Sequence, residues 1–191
     1  MLRADLRRTF SLLTGTRTVA GKVVDCYRSP GVHAVIVYRF GHWLLSQPRF
    51  FRLLLTPLYW LLDHRIRAKW GIQIQPEATI GEGFHIHHFG GIFVSGYAVI
   101  GRDFTLSHDV TIGAAGEGER RGAPTMGDNV FIAPGAKVNG KITIGKNVRI
   151  GPNAVVIRSV PDNALVHLPK MQVVTFSNFG DQPPPESNED Q

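Results

Sequence analysis

IQIQPEATIGEGFHIHHFGGIFVSGYAVIGRDFTLSHDVTIG, residues 72–113, carries an aliphatic side chain at nearly every sixth position. From Ile74 a step of six reaches Ile80, Ile86 and Ile92; after a slip of two come Ile100, Leu106 and Ile112. Beyond a longer insertion the series resumes at Met126 and runs through Ile132, Val138, Ile144, Ile150 and Val156. Gly follows the aliphatic residue at 81, 101, 113, 127, 145 and 151. The fifth position of the period is small or β-branched at Ala78, Val110, Val130, Ala136, Val148 and Ala154. An amphipathic helix would need a period of about 3.6 and an ordinary half-buried strand one of about 2. A six-residue period instead turns the chain at the corners of a triangular coil of about eighteen residues. Stacking such coils at the ~4.8 Å spacing of neighbouring strands lines their inside with the aliphatic column. Gly, Asn and Asp then serve the corners.

The register turns single residues into a geometry. His88 stands two residues after Ile86 and His108 two after Leu106, one full turn apart, so both fall in one column at an outward corner. Pro134 and Pro152 continue that column. The insertion GAAGEGERRGAPT (113–125) leaves the coil just beyond His108, and its four glycines and its Arg120-Arg121 pair read as a loop able to fold over the coil's edge. In the run His85-Ile86-His87-His88, His85 and His87 fall on one side of the strand and His88 on the other. His33 and His42, among apolar residues of a helix, read as structural, and His64 as a surface residue.

The rest of the 191-residue chain is a different kind of polypeptide. Residues 1–70 hold 12 Lys+Arg against 3 Asp+Glu, and only 4 of the 21 glycines. Residues 31–47 read as a helix ended by Pro48, and 49–69 as one or two more around Pro57. These spacings predict a mainly β chain: a small basic α-helical region over 1–70, a β-helix over 71–170 and an extension over 171–191, disordered from about 180. The lone Cys26 excludes an internal disulfide framework and points to a cytoplasmic protein. The greasy run Phe50 to Leu62 is broken by Arg52 and Pro57 and falls short of the roughly 20 residues that span a bilayer. The basic part has no nucleic-acid recognition motif, so no nucleic-acid partner is expected. It reads as a cap on the coil's open end, with peripheral contact to an anionic membrane face as the second reading.

The coil resembles that of the hexapeptide-repeat acyltransferases, which implies a left-handed parallel β-helix, a homotrimer and acetyl-CoA as co-substrate, without a metal. Moving an acyl group from a thioester to a hydroxyl needs a base, and an imidazole with a pKa near 6.5 contributes about 10²- to 10⁴-fold. The family's catalytic histidine falls on His88, with His108 acting directly or by orienting it. Backbone groups near Gly113, Ala114, Pro134 and Pro152 would hold the pantetheine arm, and Arg149 or Lys170 the phosphates.

Within that group the sequence is similar to serine O-acetyltransferases and, more narrowly, to the colanic-acid type of exopolysaccharide acetyltransferase. The likeness covers most of residues 31–170. GVHAVIVYRFGHWL (31–44) resembles the helical segment before the coils, IQIQPEATIGEGFHIHHFGG (72–91) and VIGRDFTLSHDVTIG (99–113) the first coils, and IGPNAVVIRSVPDNALV (150–166) the last. Four departures stand out. Where serine acetyltransferases carry an aspartate fifteen residues before the histidine, this chain has Gln73, and the aspartate just before the histidine is His87. The family's Arg-His pair in the loop falls, without gaps, on Gly122 and Ala123. The closing HLPKMQ (167–172) lacks the usual Gly and Arg. A zwitterionic amino acid needs charged partners when desolvated. The departures at Gln73, His87 and Gly122-Ala123 therefore favour a sugar hydroxyl, on a small or lipid-linked precursor, over serine, while that at 167–172 bears on the cofactor-phosphate contact. Acceptor contacts are expected from Gln73, His87, Arg120 and Arg121. A zinc carbonic anhydrase of the same fold would need an H-x4-H pair, which is absent; a non-catalytic hexapeptide scaffold is the remaining alternative.

Overall fold

A computed structural model describes residues 1–12, 18–118 and 121–168. Four helices, α1 (Leu2–Leu12), α2 (Val19–Arg28), α3 (Pro30–Leu45) and α4 (Arg49–Trp70), precede a parallel β-helix of fourteen short strands. One sheet stacks β1 (Ile72–Ile74), β4 (Ile92–Val94), β7 (Thr111–Gly113), β10 (Lys137–Asn139) and β13 (Val155–Val156). The second stacks β2 (Thr79–Ile80), β5 (Val99–Ile100), β8 (Thr125–Met126) and β11 (Thr143–Ile144). The third stacks β3 (His85–Ile86), β6 (Thr105–Leu106), β9 (Phe131–Ile132), β12 (Arg149–Ile150) and β14 (Leu165–Val166). Each aliphatic residue sits over its counterpart one turn below, as in Ile86–Leu106–Ile132–Ile150. The small fifth-position residues Ala78, Val110, Val130, Ala136, Val148 and Ala154 are fully buried beside them.

One step of the register differs from the spacing read in the sequence. Val94, not Ile92, continues the column, because Val94 pairs with Ile74 and Ile112 while Ile92 pairs with Ile72. The two extra residues therefore lie between Ile86 and Val94, at the corner that carries His88. Both Ile92 and Val94 are buried, so the apolar pattern alone does not separate the two registers.

Two corners turn on a residue with positive φ in every coil. At one, Gly83, Asp103, Asn129, Asn147 and Asn163 stack with φ between 56° and 80°. There Asn129 donates to Asn147 (3.0 Å) and Asn147 to Asn163 (2.9 Å). At the other, Gly91, Asp109, Gly135 and Asn153 play the same part. Asn and Asp tolerate this left-handed conformation better than other side-chain-bearing residues.

The helices cap the coil's open end. Helix α4 is continuous through Pro57 and ends on Gly71 at φ 61°. Helix α3 lies directly on the first coil: the Tyr38 hydroxyl donates to the Ala78 carbonyl (2.7 Å), and a Cβ on Gly31 would stand 2.7 Å from the Ile86 carbonyl oxygen. Arg39, 7% exposed, donates to both carboxylate oxygens of the buried Asp5 (2.8 and 3.1 Å) and to the carbonyls of Ile80 and Gly81 (2.6 Å each). Asp5 also accepts from the Phe84 backbone N–H at 2.9 Å. One ion pair thus ties α1, α3 and the first coil together. The structural reading of two histidines holds: His42 bonds the Pro76 carbonyl (2.8 Å), and His33 packs between Tyr27 and Trp70. Among the described residues no helix is long and apolar enough to cross a membrane. Lys170 and the segment 169–191, including the tail expected to be disordered, lie outside the described residues.

Candidate active site

The chain reaches the histidine corner on leaving β3 and β6. His108 immediately precedes the turning residue Asp109 and His88 lies three residues before Gly91; their ring centroids are 5.6 Å apart, edge to face. Backbone bonds continue the column: Gly135 N–H donates to the His108 carbonyl (3.1 Å) and Asn153 N–H to that of Pro134 (2.9 Å), placing Pro134 and Pro152 above the histidines. In the lowest coil the two extra residues widen the corner around His88. Phe89, half exposed, and Gly90, at φ 103°, belong to this bulge.

His88 belongs to a string of imidazoles. His87 is 4.4 Å from His88 between centroids, and His85 is 5.9 Å from His87. Partial desolvation at this exposed corner, then the positive field of His87 and of His108, pushes the His88 pKa below its usual 6.5. A group so shifted keeps its basic lone pair available at neutral pH. The Nδ1 of His108 is buried without a protein partner among the described residues. An orphaned N–H there would be costly, which favours the tautomer with its hydrogen on Nε2.

His85 faces the helical cap, where its Nδ1 meets the Thr9 hydroxyl at 3.0 Å. Desolvation chiefly, with His87 and Arg8 nearby, lowers its pKa from 6.5 to about 4. Between these values the unfolded chain binds a proton that the folded chain refuses. Stability is therefore lost as pH falls from about 6.5 to about 4, by at most about 3 kcal/mol. Urea unfolding across this window is expected to show that loss, and His85→Gln to flatten it.

The other candidate residues are dispersed. Gln73 and its neighbour above, Phe93, face outward from the sheet beside the histidine corner. Arg149 lies at the start of its strand and donates to the Asn129 carbonyl (2.7 Å) at a different corner; it does not join the histidines. Gly113 pairs with Asn139 where β7 leads into the extruded loop, and Ala114 packs partly against the core. The loop is pinned as a hairpin by the Ala115–Gly122 bridge, with Arg121 exposed; Arg120 lies outside the described residues. Below the hairpin opens a groove of about 440 Å³ lined by Ala115, Asn139, Gly140, Lys141, Ile142 and Ile157. The sequence reading missed most of these residues, because the groove exists only where three successive coils stack. Since the strands are parallel, groove and histidine corner occupy opposite edges of the β1–β4–β7–β10–β13 sheet. No group of three or more His, Cys, Asp or Glu among the described residues is placed to hold a metal ion.

Comparison with known proteins fixes the family. Residues 123–158 match the bacterial transferase hexapeptide (six repeats) profile. The chain is 41% identical to a serine acetyltransferase of Mycobacterium tuberculosis over 165 residues, 86% of this chain and 68% of that one. It is 36% identical to the serine acetyltransferase of Helicobacter pylori strain 26695 over 146 residues, 76% of this chain and 82% of the relative. Serine acetyltransferase of Neisseria gonorrhoeae, solved with serine, superposes at a TM-score of 0.70 and 28% identity, covering 88% of this chain and 66% of that one. The Brucella abortus enzyme, solved with coenzyme A, gives 0.71 and 26%, with coverage of 88% and 64%. The chain thus spans somewhat less than two thirds of these two solved structures.

These relatives overturn the expected sugar acceptor and the narrower colanic-acid likeness. That expectation rested on Gln73 and His87 in place of two aspartates and on matching the loop without gaps to Gly122 and Ala123, where an Arg-His pair would stand. The loop is a hairpin whose Arg121 stands one residue away on its exposed arm, so a gap-free match does not locate its cation. The chain belongs to the serine acetyltransferase family of hexapeptide-repeat acyltransferases.

Proposed function

We propose that the chain transfers the acetyl group of acetyl-CoA to the hydroxyl of L-serine, with His88 as general base. The observation that carries this reading is the His88–His108 pair at the widened corner, where partial desolvation and two neighbouring imidazoles keep His88 unprotonated, its lone pair free to accept a proton. In the step, His88 takes the hydroxyl proton while the serine oxygen attacks the thioester carbonyl. The tetrahedral intermediate collapses, the C–S bond breaks, and the thiolate of coenzyme A leaves and takes up a proton. His108, with its hydrogen on Nε2, is suited to donate to an oxygen at the reacting centre.

The groove below the hairpin suits the pantetheine arm: it is mostly apolar, with Asn139 and backbone groups for the amides. The assignment requires a closed trimer of the kind this family forms, in which one chain's histidine corner is set against its neighbour's groove, because the two features lie at opposite sheet edges in a single chain. Arg121 on the hairpin is the cation offered to the serine carboxylate, with Gln73 and His87 facing the acceptor from the corner. Expected is thiol release from acetyl-CoA that depends on L-serine, with the acid limb of the kcat/KM profile below pH 6.5. A limb above that value, or release indifferent to serine, would refute the assignment.

A further inference from the structure

Helix α4 has two apolar faces, and one has no partner among the described residues. Leu55, Tyr59, Leu62 and Ile66 pack inward with the core. Phe50, Leu53, Leu54, Leu58 and Leu61 recur at helical spacing on the other side and are 73, 79, 63, 47 and 55% exposed. A helix lying on its own domain needs one apolar stripe; a second one indicates a further apolar phase. Exposed Arg49 and Arg52 interrupt the start of the stripe, and no Asp or Glu occurs from Cys26 to Leu62. Of the three acids in residues 1–70, Asp5 pairs with Arg39 and Asp63 with Arg67.

We propose that this face docks the enzyme on an anionic lipid surface, with α4 lying in the interface. Phe50, Leu53, Leu54 and Leu58 enter the boundary of the acyl chains while Arg49 and Arg52 meet the headgroup phosphates. Charge selects this occupant over a second copy of the same face. Residues 1–70 carry 12 Lys+Arg against 3 Asp+Glu, so two caps face to face would repel, whereas an anionic bilayer complements each. In a cyclic trimer with its coils side by side, the caps all point to one end, and three weak contacts act together. The proposal stands apart from the acceptor assignment and survives its failure.

The test is co-sedimentation of the full chain with vesicles of phosphatidylcholine alone and of phosphatidylcholine mixed with phosphatidylglycerol. Binding to the anionic vesicles is expected to be at least about tenfold stronger and to weaken with salt. The double variant Leu54→Glu/Leu58→Glu is expected to lose it, as is Arg49→Glu/Arg52→Glu, while both retain the parent's thermal midpoint. Equal partition into both vesicles, no binding to either, or variants that bind like the parent would overturn the proposal. So would a doubled particle mass in solution that Leu54→Glu/Leu58→Glu abolishes, which would assign the face to a second copy.

Discussion

Replacing His88 by alanine is expected to slow acetyl transfer to serine by about 10²- to 10⁴-fold, while leaving the affinity for acetyl-CoA and the thermal midpoint almost unchanged. The side chain is exposed at an outer corner and takes no part in the stacked core, so its removal leaves no cavity. What disappears is the group that accepts the serine proton. The thioester is intrinsically reactive, and binding still brings the two substrates together, so the residual rate stays above the uncatalysed one. His108→Ala is expected to cost less, because that residue donates to an oxygen and does not carry the transferred proton. Stopped-time thiol release with both variants, each saturated with acetyl-CoA, measures the difference. A His88→Ala enzyme within a few-fold of the parent would remove His88 from the mechanism.

The largest loss of stability is expected from Asp5→Ala. It leaves the Arg39 guanidinium buried without a countercharge, on two backbone carbonyls and the Met1 sulfur, and strips the Phe84 N–H of its acceptor. Breaking one side of a buried ion pair costs about 3–5 kcal/mol, which for a chain of this size lowers the midpoint by about 10 °C. Asp5→Asn, which keeps an acceptor for Phe84 but no countercharge, should fall between. Because Thr9 lies on the same helix and bonds His85, release of α1 also exposes the base of the imidazole string. Calorimetry of the two variants checks the order; an Asp5→Ala protein as stable as its parent would mean that α1 does not clamp the coil.

The coil was legible because its information is local and repeated. A six-residue period fixes which side chains point inward, and once Ile86 and Leu106 share a column, His88 and His108 must share the next corner. The misplaced slip at Ile92 has a physical cause: in a three-residue strand both ends point inward, so Ile92 and Val94 fit the interior equally well. The Asp5–Arg39 clamp and the Thr9–His85 contact join residues 34 and 76 positions apart, and no spacing within a helix announces them. The groove beneath the hairpin was equally hidden, since it is assembled from Ala115, Asn139 and Ile157 on successive turns. The acceptor was misread for a related reason. Gln73, His87, Gly122 and Ala123 showed which charges the corner lacks, and they outweighed Arg121, which the sequence named as an acceptor contact but whose hairpin is a tertiary feature.

The excess of cations in the first seventy residues thus divides into parts. Arg39 is spent inside the clamp, Arg67 pairs with Asp63 along its own helix, and Arg49 and Arg52 remain on an exposed apolar face.

The most direct test of the account is the mass of the product formed from acetyl-CoA and L-serine by the wild-type chain. It predicts one new species, serine heavier by one acetyl group on its oxygen, in equal amount to the coenzyme A released. Coenzyme A released without acetylated serine, or acetylated serine formed equally well by the His88→Ala variant, would contradict it.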